Sequence, residues 1–424
     1  MTILNNNYRE FKLDNGLVVA LQETPTSTVS GRLRVWNGAL NEEQGEEGLA
    51  HFLEHTLMTG GSQKYTPEQA DDIRGIFGAF NALTHLDKTV FPIDMLSEDT
   101  PLFLEYISDI VFNPRFDETR IEEERQRILR ETADKKSGPS FESNKKYLEA
   151  FFGKDSPHIY FGLGDENVVK SASREDLRKI HSRGYHPNNM DLVLVGNLPE
   201  NIEEIIKQTF GEFSSKGGNR IELPRNPKLK GNRLIHFEAP ELLNHENLEQ
   251  STAYLNMGFV GPTETDEDSY GVRMLVHILG GDSNSRLFKN VSQRKGLVYG
   301  IGAQYNGMNN QGMIAIEGNI PSLRIKESID SIFEEMGILQ TELVSEEVLT
   351  RLKKILKYGF ANTFDSNIGH VGAIELRMDI GINPEDYFER MEAITPKDIK
   401  NSALKYFPTK NGNYVMLLRD PLKE

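Results

Sequence analysis

The chain contains no cysteine. That excludes disulfides, thiolate nucleophiles, iron–sulfur clusters and cysteine-type zinc sites, so any metal must be held by His, Asp, Glu or carbonyl groups. Basic residues are in the minority: 48 Lys and Arg stand against 64 Asp and Glu, a net charge of −16. So acidic a chain is a poor partner for nucleic acid or an anionic membrane surface, whose affinity comes largely from Lys and Arg. It favours basic substrates only if the site shares the overall charge. No apolar run approaches the ~20 residues that a membrane helix needs. The opening MTILNNNYREFKLDNG has neither an apolar signal core nor the Arg-rich pattern of a transit helix, so the cytoplasm is the expected address. What the chain does have is length. Its 424 residues suggest two or three domains, and 38% hydrophobic with 26% charged residues is a globular composition.

Short β-prone runs at Phe11–Leu13, Leu17–Gln22 and Arg32–Trp36 open the chain, with a turn at Asn15-Gly16. A helix is expected from about Glu46 to Met58, closed by Gly60-Gly61. Thr66, Pro67 and Gln69 form a capping-box start for the next helix. Strands at Ala79–Leu83 and Thr89–Met95 precede helices at Asp99–Val111 and Asp117–Lys136. After a strand at Met190–Val195 and a helix at Pro199–Phe210, the polar, Gly- and Pro-containing stretch 214–232 reads as a linker. The second half repeats the order, with strands at Leu234–Phe237, Thr252–Phe259, Tyr299–Tyr305 and Met313–Gly318 among helices, and a closing strand at Tyr414–Leu417. The expectation is an α+β protein of two similar domains, 1–213 and 233–424, each an antiparallel or mixed sheet covered by helices.

One constellation carries chemistry. His51-Phe52-Leu53-Glu54-His55 lies inside the first expected helix. Residues four apart project from one helix face, so both imidazoles can converge on one metal. Glu54 lies beside them, within reach of a water at that metal. The His-x-x-Glu-His order is the inverted zinc-protease arrangement. A catalytic zinc takes three protein ligands and keeps one position for water. Glu131, in the charged helical stretch 121–131, is the expected third ligand. Glu124 lies two turns earlier on the same face; one of the two can ligate while the other orients a ligating His. The other eight of the ten His residues have no paired ligand spacing.

The stretch Glu47-Gly-Leu-Ala-His-Phe-Leu-Glu-His55 resembles the pitrilysin-type (M16) metallopeptidases. The likeness extends to the 75 residues between His55 and Glu131, to Glu124, to Phe80-Asn-Ala-Leu-Thr84, to Tyr185-His-Pro-Asn-Asn-Met190, and to Leu279-Gly-Gly-Asp-Ser-Asn-Ser-Arg-Leu287 with Gly296-Leu-Val-Tyr299. The length fits the short, processing-peptidase-like subfamily, in which one polypeptide forms half of a clamshell. The resemblance implies a zinc endopeptidase with one Zn²⁺ per chain on His51, His55 and Glu131, and with Glu54 as general base. It implies an extended peptide substrate on the strand that carries Asn81 and Ala82, with Tyr299 also at the substrate. It further implies a homodimer, or a heterodimer with an M16-like chain that lacks zinc. One position departs from the pattern: the Arg expected seven residues before Tyr299 is Ser292, and neither Arg286 nor Arg294 has that spacing. The implied alternatives are a zinc-bearing subunit inactive alone, a peptide-precursor maturation protease, and a non-catalytic scaffold.

Overall fold

The computed structural model describes residues 7–160, 162–215 and 227–422; most of the expected linker lies outside the described residues. The chain forms two compact units, each drawing on both halves of the sequence: 1–135, 160–223 and 361–385 make one, and 136–159, 224–360 and 386–424 the other.

The first unit is built on a seven-stranded sheet of β1 (Tyr8–Lys12), β2 (Val18–Glu23), β3 (Thr28–Val35), β4 (Ala79–Phe80), β5 (Leu83–Thr84), β6 (Thr89–Leu96) and β7 (Met190–Gly196). Its strand order is β1-β2-β7-β3-β6-β4, with β5 also on β6. Only the β2–β7 pairing is parallel among those described. The helices α1 (Leu49–Thr59), α2 (Pro67–Arg74), α3 (Thr100–Phe112) and α4 (Glu118–Ser137) belong with it. Phe52, Leu53 and Leu57 of α1 join Leu33, Phe91, Phe103 and Leu192 in one core, all fully buried.

After α4 the chain runs through α5 (Phe141–Phe152), α6 (Glu166–Ser171), α7 (Arg174–Gly184) and α8 (Ile202–Phe210). The second unit holds a five-stranded sheet of β8 (Asn232–Glu238), β9 (Thr252–Val260), β10 (Gly300–Gly307), β11 (Gly312–Pro321) and β12 (Tyr414–Asp420), ordered β10-β11-β9-β12-β8. Its helices include α9 (Asp268–Gly280), α10 (Ile325–Thr341) and α11 (Glu346–Thr363); after α12 (Asn367–Ile380), which belongs to the first unit, come α13 (Pro384–Ala393) and α14 (Pro396–Tyr406).

The two sheets share one plan. In each, the closing strand (β7 or β12) inserts between the first two long strands, parallel to one and antiparallel to the other. The repeat expected from the order of elements is therefore present as topology. Each sheet also takes a helix from the other half of the sequence. Val371 and Ile374 of α12 pack on Ala20, Val193 and Val195 of the first sheet. Tyr147 and Phe151 of α5 pack on Val415 and Leu417 of the second.

Local chemistry explains most boundaries. The capping boxes at Thr66, Ser173 and Thr395 are all formed. Helix α1 begins three residues later than expected because Gly48, at φ 99°, is left-handed and cannot be an interior helical residue. The strand expected over Ala79–Leu83 is broken: β4 and β5 flank Asn81 and Ala82, which leave the regular ladder. The segment Leu287–Arg294 is π-helical. Among the described residues no helix is long and apolar enough to cross a membrane.

Candidate active site

Helix α1 presents its motif as the spacing requires. Leu49, Phe52, Leu53 and Leu57 anchor one face in the core, and the opposite face carries His51, Glu54 and His55. Their ligand atoms lie within 4.8 Å of one another, the one such cluster among the described residues. The two rings stand edge to face at 89°, and the two Nε2 atoms approach to 3.2 Å.

Helix α4 supplies the carboxylates. His55 Nδ1 donates to Glu124 Oε2 at 2.7 Å, which aims its Nε2 at His51 Nε2. Glu131 Oε2 lies 3.9 Å from His51 Nε2, and Glu131 also pairs with Lys135 at 2.9 Å. Thus α4 delivers both expected acids to α1, and the seven-residue interval puts one at each imidazole. Glu54 faces the other wall, where Thr84 Oγ1 on β5 donates to its Oε2 at 2.6 Å.

Burial sets the charge states. It lowers the His51 pKa to about 4, helped by the neighbouring His55, so this ring is neutral near pH 7. Burial raises the Glu54 pKa, against the pull of the Thr84 hydrogen bond. Glu124 is held below its ordinary value: burial opposes this, but the His55 hydrogen bond and charge, with Arg127 and Thr59, together outweigh it. Glu131 is lowered against burial by Lys135 and then His51.

The donor set fits a divalent zinc-like ion. Two imidazole nitrogens face each other at 3.2 Å, and carboxylates stand at hand. In addition, His51 Nδ1 is buried without a hydrogen-bond partner among the described residues, so nothing but its Nε2 is available for a strong contact.

These groups floor a cavity of about 620 Å³. Asn81 and Ala82 line it, at the interrupted edge strand, as do Thr84, Arg74, Arg127 and Lys135. Asn81 is exposed, and its N–H donates to Pro92 O at 3.3 Å. The three cations Arg74, Arg127 and Lys135 stand against the carboxylates Glu54, Glu124 and Glu131 of the same lining. The sequence reading did not single out Thr84 by role, nor Arg127; the Phe80–Thr84 pattern was the available signal for the first. Tyr299 belongs to the second unit, is 90% exposed, and precedes β10. Ser292 lies in the π-helical segment, Arg286 pairs with Glu335 at 2.7 Å, and Arg294 is exposed.

Residues 18–155 match the model of Insulinase (Peptidase family M16), and residues 171–356 that of the Peptidase M16 inactive domain. The chain is 29% identical to an uncharacterized zinc protease of Rickettsia bellii over 95% of this chain and 96% of the relative. It is 24% identical to the uncharacterized zinc protease YmxG of Bacillus subtilis, over 97% and 98% respectively. Among solved structures, a protease from Helicobacter pylori shares the fold at a TM-score of 0.84 and 19% identity, covering 98% of this chain and 99% of that one. The periplasmic protease PqqL of Escherichia coli matches at a TM-score of 0.81 and 17% identity, with 99% of this chain covering 48% of that one. The inverted motif sits in the stretch matched by the peptidase model, residues 171–356 match the inactive-domain model, and the chain belongs to the M16 peptidase family.

Proposed function

We propose that the chain is a zinc-dependent endopeptidase that cleaves peptides or unfolded segments, with Glu54 as general base. The observation that carries the reading is the approach of His51 Nε2 and His55 Nε2 to 3.2 Å, with Glu131 beyond one and Glu54 beside both. His51, His55 and Glu131 would hold one zinc ion per chain. Bound there, zinc lowers the pKa of water and polarises a carbonyl. Glu124 orients His55 through Nδ1. Glu54 takes the proton of the attacking water and delivers it to the leaving amine nitrogen. Thr84 holds the Glu54 carboxylate towards β5, where an extended substrate would lie. There the backbone around Asn81 and Ala82 offers sequence-tolerant pairing.

Ser292 favours a second reading, in which this chain is the zinc-bearing subunit of a heterodimer and a partner brings the Arg missing beside Tyr299. A homodimer is the other arrangement. The similarity of this chain to about half of PqqL supports a working unit of two such folds.

The test is cleavage of a mixed peptide library by the purified, zinc-loaded chain, wild type against Glu54→Gln. Cleavage by the wild type alone supports a self-sufficient peptidase. Bound zinc without cleavage shifts support to the heterodimer, and absence of zinc binding refutes both readings.

A further inference from the structure

We propose that Glu42 is a positioning residue for the metal ligand His51, acting through the backbone at the start of α1. The first amides of a helix have no partner within it, and an N-cap side chain normally accepts from them. Here the N-cap is Gly48, which has no side chain to offer. Glu42 stands in from six residues upstream: its Oε2 accepts from Gly48 N–H at 3.0 Å and its Oε1 from Ala50 N–H at 2.8 Å. Glu46 O takes the intervening Leu49 N–H at 2.9 Å. Burial pushes the Glu42 pKa up to about 7, and in its ionised form it also complements the helix dipole.

The pin lies one residue before His51, and the two histidines differ in what else holds them. His55 is clamped at Nδ1 by Glu124. His51 Nδ1 is buried and without a partner among the described residues. Its ring direction therefore depends on the backbone from which it springs and on packing. A metal site needs its ligands fixed to a fraction of an ångström, and groups that orient a ligand change metal affinity by roughly 10–100-fold. Glu42 does for His51, through the chain, what Glu124 does for His55 directly.

A purely structural role would weaken the whole loop without singling out the metal. Glu46 supplies the control, since its carboxylate belongs to the same loop but binds Lys179 at 3.0 Å and Arg183 at 2.6 Å rather than the start of α1.

The proposal rests on the zinc reading, and the experiment separates the two. The zinc dissociation constants of the full-length wild type, Glu42→Gln and Glu46→Gln are measured by chelator competition, alongside thermal unfolding of the zinc-free proteins. Glu42→Gln keeps one acceptor and turns the other oxygen into an amide donor facing an N–H. It should weaken zinc roughly tenfold. Glu46→Gln should lower the unfolding temperature yet hold zinc within about twofold of wild type. Glu42→Asp, which keeps the charge but cannot reach both amides, is the second variant and should weaken zinc as Glu42→Gln does. Wild-type zinc affinity in either Glu42 variant, or an equal loss in Glu46→Gln, overturns the proposal. A wild type that binds no zinc overturns the zinc reading instead.

Discussion

Glu124 offers the sharpest quantitative test of how the metal centre is built. Its side chain is 8% exposed and accepts from His55 Nδ1 at 2.7 Å. Its other neighbour, Arg127 at 3.7 Å, is 63% exposed and contributes little. A hydrogen bond to a charged acceptor contributes about 1.5–3 kcal/mol, against about 0.5–1.5 for a neutral one. Glu124→Gln keeps an acceptor of the same shape and loses the charge, which is about 1–1.5 kcal/mol. That predicts roughly tenfold weaker zinc binding. Glu124→Ala leaves the buried Nδ1–H with no partner, and its cost of about 2–3 kcal/mol predicts a loss of roughly 30–150-fold. Competition with a chelator of known affinity reads both. Zinc binding unchanged within twofold in the Ala variant would refute the reasoning. Glu131→Gln, if Glu131 is a ligand, should lose more zinc than either Glu124 variant; the reverse ranking would exchange the two roles.

Other consequences are open to equally direct measurement. Arg183 and then other donors hold Glu46 at about 2 despite burial, so its stabilising effect is full above the ordinary carboxylate pKa and fades as pH falls towards 2. Urea midpoints between pH 5 and 2.5 should therefore fall more steeply for wild type than for Glu46→Gln, and parallel curves would sink the idea. Arg127 lines the cavity and is largely exposed. Arg127→Glu should shift the kcat/KM preference between otherwise identical acidic and basic peptides by roughly three- to tenfold towards the basic one. An unchanged ratio would mean that this wall does not meet substrate side chains. At Gly258 an added Cβ would collide with Oη of Tyr147, a buried residue of α5. Gly258→Ala should cost about 1–3 kcal/mol in denaturant unfolding, and a neutral result would show that α5 shifts freely there.

The site was readable in the sequence because its parts are local. Two His residues four apart, a Glu between them and two Glu residues seven apart each define a helix face, and a helix face survives errors of a residue or two at its ends. The long strands and the capping boxes were legible for the same reason. The helices α5 and α12 were not. Their identity depends on partners far along the chain: Glu375 and Asp379 look like solvated acids until Arg32 and Arg34, more than 340 residues away, are placed beside them. The duty of Glu42 was hidden likewise, because it lies in an acidic run and caps a helix that starts six residues later with a glycine. The interruption at Asn81 and Ala82 follows from edge geometry, which alternation of residue types does not encode.

The placement of α12 has a consequence for synthesis. Arg34 is 1% exposed and pairs with both Asp191 and Asp379, yet Asp379 leaves the ribosome 345 residues later. Until then the apolar patch of Ala20, Val193 and Val195 lacks its cover as well. The first sheet must therefore wait, incomplete and with Arg34 held by Asp191 alone, for almost the whole chain to be made. Separately expressed halves should each expose one such patch, and nascent chains stalled before residue 367 should be the species that chaperones hold and proteases cut.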